Sequence, residues 1–171
     1  MNRLDHDEAR VHVSAGADLL YDLVSDVRRT PEWSPEVISC AWLDGTKGAV
    51  AGARFRARNR RRWFTWSNRP VVEVADPGRQ FAVTRTEPGG GTIRWAYQLR
   101  PDPAGTVVTL SYDVLRPVPV GLHLILRVLF GVRDLRADLH QNMQTSLRRL
   151  ADVAQRETAG RPTAAEGGGR P

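Results

Sequence analysis

The sequence predicts an α+β fold: an antiparallel sheet of about seven strands, two short helices after the first strand, and one long C-terminal helix lying across the sheet. Three observations carry this. Short stretches alternate apolar and polar residues, the period of a half-buried strand. The connections between them are brief and rich in turn residues: Asp76-Pro77-Gly78, Glu87-Pro88-Gly89-Gly90 and Asp102-Pro103-Ala104-Gly105. After Pro117 and Pro119 the period changes, and Leu135, Leu139, Met143, Leu147, Leu150 and Ala154 recur every three or four residues along one helix face. A sheet with one apolar face needs a cover, and this helix is the one element long enough to supply it.

Taken in order, residues 9–13 alternate as a strand and lead to Ser14, whose hydroxyl is placed to cap a helix over 18–24. Residues 26–35 hold two prolines and Trp33 and read as a short helix or turn. Strands are then expected at 36–43, 53–60, 63–75, 80–86, 91–100 and 106–115. Two show clear sides. Ile93, Trp95, Tyr97 and Leu99 oppose Thr92, Arg94, Gln98 and Arg100, while Val108, Leu110, Tyr112 and Val114 oppose Thr109, Ser111 and Asp113. Residues 1–157 are expected to form a single ligand-binding domain, and residues 158–171, rich in Gly, Pro and Ala, a disordered tail.

A chain of 171 residues fits one domain with a real core. Its net charge of +6 raises the question of nucleic acid, yet of 25 basic residues all but Lys47 are arginine, and they are spread through the chain. That skew reads as codon bias, so a nucleic-acid partner is disfavoured. Cys40 is the single cysteine, which excludes an intramolecular disulfide and a cysteine metal cluster. The four histidines show no close metal-ligand spacing, so no metal is expected. A polar, acidic N-terminus lacks the apolar core of a secretory signal, and the apolar stretch 118–132, interrupted by His123 and Arg127, is too short to span a bilayer. These features together point to the cytoplasm.

Residues 53–69 concentrate the functional signal. They read as a β-hairpin in which Phe55, Asn59, Trp66 and Asn68 share one side, a mixture of aromatics and amides suited to the wall of a small-molecule cavity. The intervening Arg60-Arg61-Arg62 turn reads as solvent-facing. An inward amide needs a partner, which a ligand or ordered water would supply; a strand-end residue facing solvent is the alternative. Trp33, Trp66, Trp95, Tyr97 and Tyr112 are either cavity wall or plain core. Leu139 and Met143 lie on the helix's apolar face, with Asn142 and Ser146 beside them. Gly89-Gly90-Gly91 is a turn, since neither a helix nor Lys-Ser/Thr follows, and no Gly-x-Ser-x-Gly esterase motif is present.

In this order the elements resemble the helix-grip fold of the START and Bet v 1-like (SRPBCC) superfamily, in particular its bacterial polyketide cyclase/dehydrase branch. The resemblance covers residues 8–156 and rests on the opening strand and helix, Glu32-Trp33-Ser34-Pro35, Trp66-Ser67-Asn68-Arg69, Asp76-Pro77-Gly78-Arg79, Trp95-Ala96-Tyr97 and Leu147-Arg148-Arg149-Leu150. It implies a ligand held between a curved sheet and the long helix, without a cofactor. Aromatase/cyclase members fold a poly-β-ketone there, with an arginine on the fourth strand that polarises a carbonyl. The resemblance places Arg69 at that position as the catalytic group. Strand alternation disagrees, because Phe64, Trp66, Val72 and Val74 form the apolar side and turn Arg69 outward unless a bulge near Pro70 shifts the register.

The expected function is therefore binding of a hydrophobic or aromatic small molecule between sheet and C-terminal helix, with polyketide cyclisation or dehydration as its enzymatic form. Enzyme and carrier stay open. The alternative is a lipid or isoprenoid carrier that contacts anionic membrane through Arg-rich strand edges and the apolar turn 122–130. Either would be a monomer or homodimer.

Overall fold

The computed structural model of the protein describes residues 5–87, 90–117 and 134–160. Strand β1 (His6–Val13) is followed by helix α1 (Ala17–Ser25) and a 3₁₀ helix (Val27–Glu32). Then come β2 (Val37–Trp42), β3 (Phe55–Arg61), β4 (Phe64–Asn68), β5 (Val71–Asp76), β6 (Gln80–Thr86), β7 (Thr92–Asp102) and β8 (Gly105–Arg116), and last helix α2 (Leu135–Gly160). The strands pair antiparallel throughout, in the orders β1-β8-β7-β6-β5 and β2-β3-β4.

The expected single strand over 63–75 is two strands, β4 and β5, parted at Arg69-Pro70. Proline has no N–H to give the ladder, so regular pairing lapses there. The path beside β3 nevertheless continues. Ala57 faces Asn68, the Phe55 N–H donates to the Pro70 carbonyl at 3.2 Å, Arg54 bridges Val71, and the Val72 N–H donates to the Ala53 carbonyl at 2.9 Å. These contacts join the five-stranded and three-stranded sheets. No residue is inserted at Pro70, and the irregularity in β5 falls between Val72 and Val74 instead. Asn68, Pro70 and Val72 therefore stay on the buried side while Arg69 is exposed.

One face of the sheet is covered by both helices. Helix α1 buries Leu20, Tyr21, Leu23 and Val24, and α2 buries Met143, Leu147, Leu150, Ala151, Val153 and Ala154. They meet Val13, Val108, Leu110 and Tyr112 in one core. Burial of these side chains contributes about 1.5–3 kcal/mol each for the larger ones.

Two boundary expectations change. Ser14 does not cap α1: the helix starts later, with Gly16 as N-cap and no side-chain cap bond. The chain enters it through a tight turn in which the Ala15 N–H donates to Val13 O at 2.8 Å and the Thr106 hydroxyl donates to Ala15 O at 2.8 Å. Gly105 makes that approach possible, since at φ +150° a Cβ there would lie 2.1 Å from Val13 O. At the other end α2 runs to Gly160, so the expected tail boundary at 157 falls within the helix. The apolar turn 122–130 and residues 161–171 lie outside the described residues. Among the described residues no helix is long and apolar enough to cross a membrane.

Candidate functional site

A cavity of about 140 Å³ lies where α2, the 3₁₀ helix and the strands converge. Its walls follow from strand alternation. On β6 the residues Phe81, Val83 and Arg85 share one face, opposite Tyr97, Trp95 and Ile93 of β7 in register. On β7, Tyr97 and Trp95 in turn face Leu110 and Tyr112 of β8. The second wall is β3, whose buried residues Phe55, Ala57 and Asn59 alternate with the exposed Arg56, Arg58 and Arg60. Helix α2 closes the space with Leu139, Asn142, Met143 and Ser146, which recur at three- and four-residue spacing along one side over about two turns.

The cavity is mostly apolar but carries two charged groups. Glu36, just before β2, accepts from Arg61 Nη1 at 3.2 Å and from Asn142 Nδ2 at 3.2 Å. Burial pushes its carboxyl above the ordinary carboxylate range, and the nearby Arg85 and Arg61 guanidiniums oppose that push without cancelling it. Arg61 also pairs with Asp138 of α2. The arginine turn 60–62 is thus not wholly solvent-facing: Arg61 continues the inward alternation of Phe55, Ala57 and Asn59 and ties β3 to the helix. Arg85 pairs with Glu87 and sits over the Trp95 ring, its guanidinium carbon 5.4 Å from the centroid.

The neutral groups are unevenly satisfied. The Trp33 indole N–H donates to the Tyr97 hydroxyl at 3.2 Å, and burial raises that phenol to about 12. Tyr112 is raised by burial to about 12 as well, so both phenols are protonated at neutral pH. The Cys40 thiol, also in the cavity wall, is raised to about 11 by burial and is not a thiolate nucleophile. Asn59 is 1% exposed, and neither its Oδ1 nor its Nδ2 has a partner. The Trp95 Nε1 is buried without a partner too.

Of the residues expected from sequence, Phe55, Asn59, Trp95, Tyr97, Leu139 and Met143 line the cavity. Four others lie outside that lining. Trp33 is buried and anchors Tyr97; Tyr112 is buried with its ring 5.3 Å from that of Trp95; Asn68 is buried on the Asn59 side of the hairpin; Trp66 faces Asn59 across the ladder and stacks on Phe64 at 5.7 Å. Arg69 is not brought to the cavity. Because the register passes Pro70 without a bulge, its side chain stays on the exposed face with Ser67 and Val71. Glu36 and Arg85 are in the lining and were not singled out. Arg85 was legible, since the alternation Phe81-x-Val83-x-Arg85 puts a lone cation on an apolar side; Glu36 precedes its strand and has no periodicity to betray it. Among the described residues no group of histidines, cysteines and carboxylates could hold a metal ion.

A long helix gripped by a mixed-order antiparallel sheet, with a cavity between them, defines a helix-grip protein. The chain belongs to the family described as polyketide cyclase / dehydrase and lipid transport, whose profile matches residues 6–155. The fold is similar to that of the Zhui aromatase/cyclase from Streptomyces sp. R1128, at 22% identity and a TM-score of 0.67 over 91% of this chain and 97% of that one. It is also similar to a START superfamily protein from Mycobacterium smegmatis, at 17% identity and a TM-score of 0.65 over 90% of this chain and 99% of that one. The di-domain ARO/CYC StfQ of the steffimycin biosynthetic pathway matches with a TM-score of 0.71 at 17% identity, over 90% of this chain and 51% of StfQ. Among curated proteins nothing matches significantly.

Proposed function

We propose that the protein binds a flat hydrophobic or aromatic small molecule in the cavity between the sheet and α2, and that on a polyketone substrate it catalyses cyclisation with loss of water. The observation that carries this reading is the meeting of Arg85 and Glu36 in one otherwise apolar lining. Arg85, held over Trp95 by the ring and by Glu87, is suited to polarise a ketone oxygen as negative charge develops on it. Glu36, its carboxyl pushed upward by burial, is suited to take a proton from the carbon between two carbonyls. The resulting enolate carbon attacks a second carbonyl of the same chain, forming a C–C bond and an alkoxide that Glu36 reprotonates. Glu36 then takes the remaining proton from the attacking carbon and passes it to the hydroxyl, so that the C–H and C–O bonds break, a C=C bond forms and water leaves. Carbon, hydrogen and charge balance without a redox partner.

Native mass spectrometry of protein purified from its own host tests the binding reading, with a retained small aromatic or polyketone as the expected result. Protein that arrives empty and takes up no aromatic probe would remove it. The catalytic part is tested on a candidate polyketone with Arg85→Gln and Glu36→Gln. Each is expected to lower kcat by about 10²–10⁴-fold, the usual share of one acid–base or electrostatic group. Wild-type turnover in both would remove Arg85 and Glu36 from the catalytic reading, and a wild type that binds the polyketone without turning it over would leave the protein a carrier.

A second reading, a lipid or isoprenoid carrier that docks on anionic membrane, draws on Trp63. It is 71% exposed at the β3–β4 tip beside the exposed Arg60 and Arg62. An amphipathic indole with flanking cations suits a headgroup layer. Flotation with anionic vesicles that is absent at low salt, or unaffected by Trp63→Ala, counts against it.

A further inference from the structure

We infer that the ligand of this cavity carries a hydrogen-bond donor beside an acceptor on one edge of a flat apolar body, and that the Asn59 carboxamide reads that edge. This rests on the reading of the cavity as a ligand site. Asn59 occupies the centre of the β3 wall, between Ala57 and Arg61 on the inward alternation, and it is 1% exposed. Both atoms of its amide lack a partner, although it lines the cavity. A buried polar group left unpaired costs about 1–3 kcal/mol, and an apolar residue of similar branching at this place would avoid that cost. The amide thus costs the fold stability at a position that lines the cavity.

The neighbouring groups do not answer the amide from within the protein. Across the ladder stands Trp66, and the diagonal position holds Asn68, itself 5% exposed with both amide atoms unpartnered. On the facing wall the Trp95 Nε1 is a second buried donor with no acceptor. A carboxamide offers N–H and C=O side by side in one plane. The group that satisfies both together is a lactam, a protonated carboxylic acid or a hydroxy-carbonyl edge, whereas a plain hydrocarbon satisfies neither. A site built to bond such an edge discriminates strongly against analogues that lack it, because its own groups are then left unpaired.

Two fused-ring probes of nearly equal outline test this: carbostyril, whose lactam has donor and acceptor on one edge, and naphthalene, which has neither. Both are titrated into the wild-type protein of residues 1–171 and into its Asn59→Leu variant. The expected result is that the preference for carbostyril over naphthalene falls by about tenfold or more in the variant, the equivalent of one good hydrogen bond, while naphthalene still binds both proteins. Comparing ratios removes the difference in probe hydration. An unchanged ratio with naphthalene still bound overturns the inference and leaves the cavity reading standing. Failure of both probes to bind the wild type overturns the cavity reading and this inference with it. Where Asn59→Leu does not fold, the side-chain amide resonances of Asn59 in the wild type decide. A shift with carbostyril and none with naphthalene supports the proposal, and equal shifts with both overturn it.

Discussion

The two halves of helix α2 do different work on the same sequence period. Its C-terminal half presents Leu147, Leu150, Ala151, Val153 and Ala154, all buried against β1, β8 and α1, and no polar side chain interrupts that face. The N-terminal half brings Asp138, Leu139, Asn142, Met143 and Ser146 towards the β2–β3–β4 arm, where Asp138 meets Arg61 and Asn142 meets Glu36. One end is packed as a core is packed; the other is polar, only partly filled and bonded through charged side chains. Stability concentrates at the first end, and the second tolerates unpaired amides and a carboxyl whose charge is disfavoured. The proposed binding site lies where the fold gives up packing, as expected of sites that trade stability for function.

Breaking the packed end gives the largest effect. Leu150→Ala removes a fully buried side chain from the joint core and is expected to lower stability by about 2–5 kcal/mol in urea unfolding. A loss below 1 kcal/mol would mean that this end is no better packed than the cavity end. Asn59→Leu should have the opposite sign, raising stability by about 1 kcal/mol, because it replaces two unpaired buried atoms with an apolar side chain beside free volume. Destabilisation by that variant would show that the amide is satisfied inside the protein.

A smaller, pH-dependent effect separates the ends further. The folded-state pKa of Glu36 lies above its ordinary 4.5, so its protonated form is favoured in the fold. Such a group contributes stability that is full below the unfolded pKa and is lost as pH rises through the folded one. Glu36→Gln is therefore expected to compare best with wild type at neutral pH and to lose ground as pH falls towards 4.5. A pH-independent difference in urea midpoint would contradict the assignment. The smallest effect belongs to Arg69→Ala. On the exposed face it should change stability by no more than about 0.5 kcal/mol and leave carbostyril affinity at the wild-type value. A marked loss of affinity would return Arg69 to the site.

Much of the sheet was legible because its period is two. The inward sides of β7 and β8, and the sequence Phe55, Ala57, Asn59 of β3, could be read from alternation alone. Alternation also turned Arg69 outward, against the position that the family resemblance implied for it; the inward placement of Arg61 and Arg85 follows the same period but was not read from the sequence. What could not be read was the break at Arg69-Pro70, where a strand without a donor keeps its register by bonding through carbonyls, and the part played by Glu36 at the edge of an element.

The sequence by itself determined the order of elements, the faces of the strands and the helix stripe that covers them, because local periodicity and turn chemistry act within a few residues. Only the tertiary structure decided which inward residues share one space. Phe55, Asn59, Arg85, Trp95 and Met143 come from three strands and a helix far apart in the chain, and Glu36 joins them through Arg61 and Asn142. Their convergence depends on how the β2–β3–β4 arm is carried past Pro70 towards α2, and that is a property of long-range pairing, to which no local period answers.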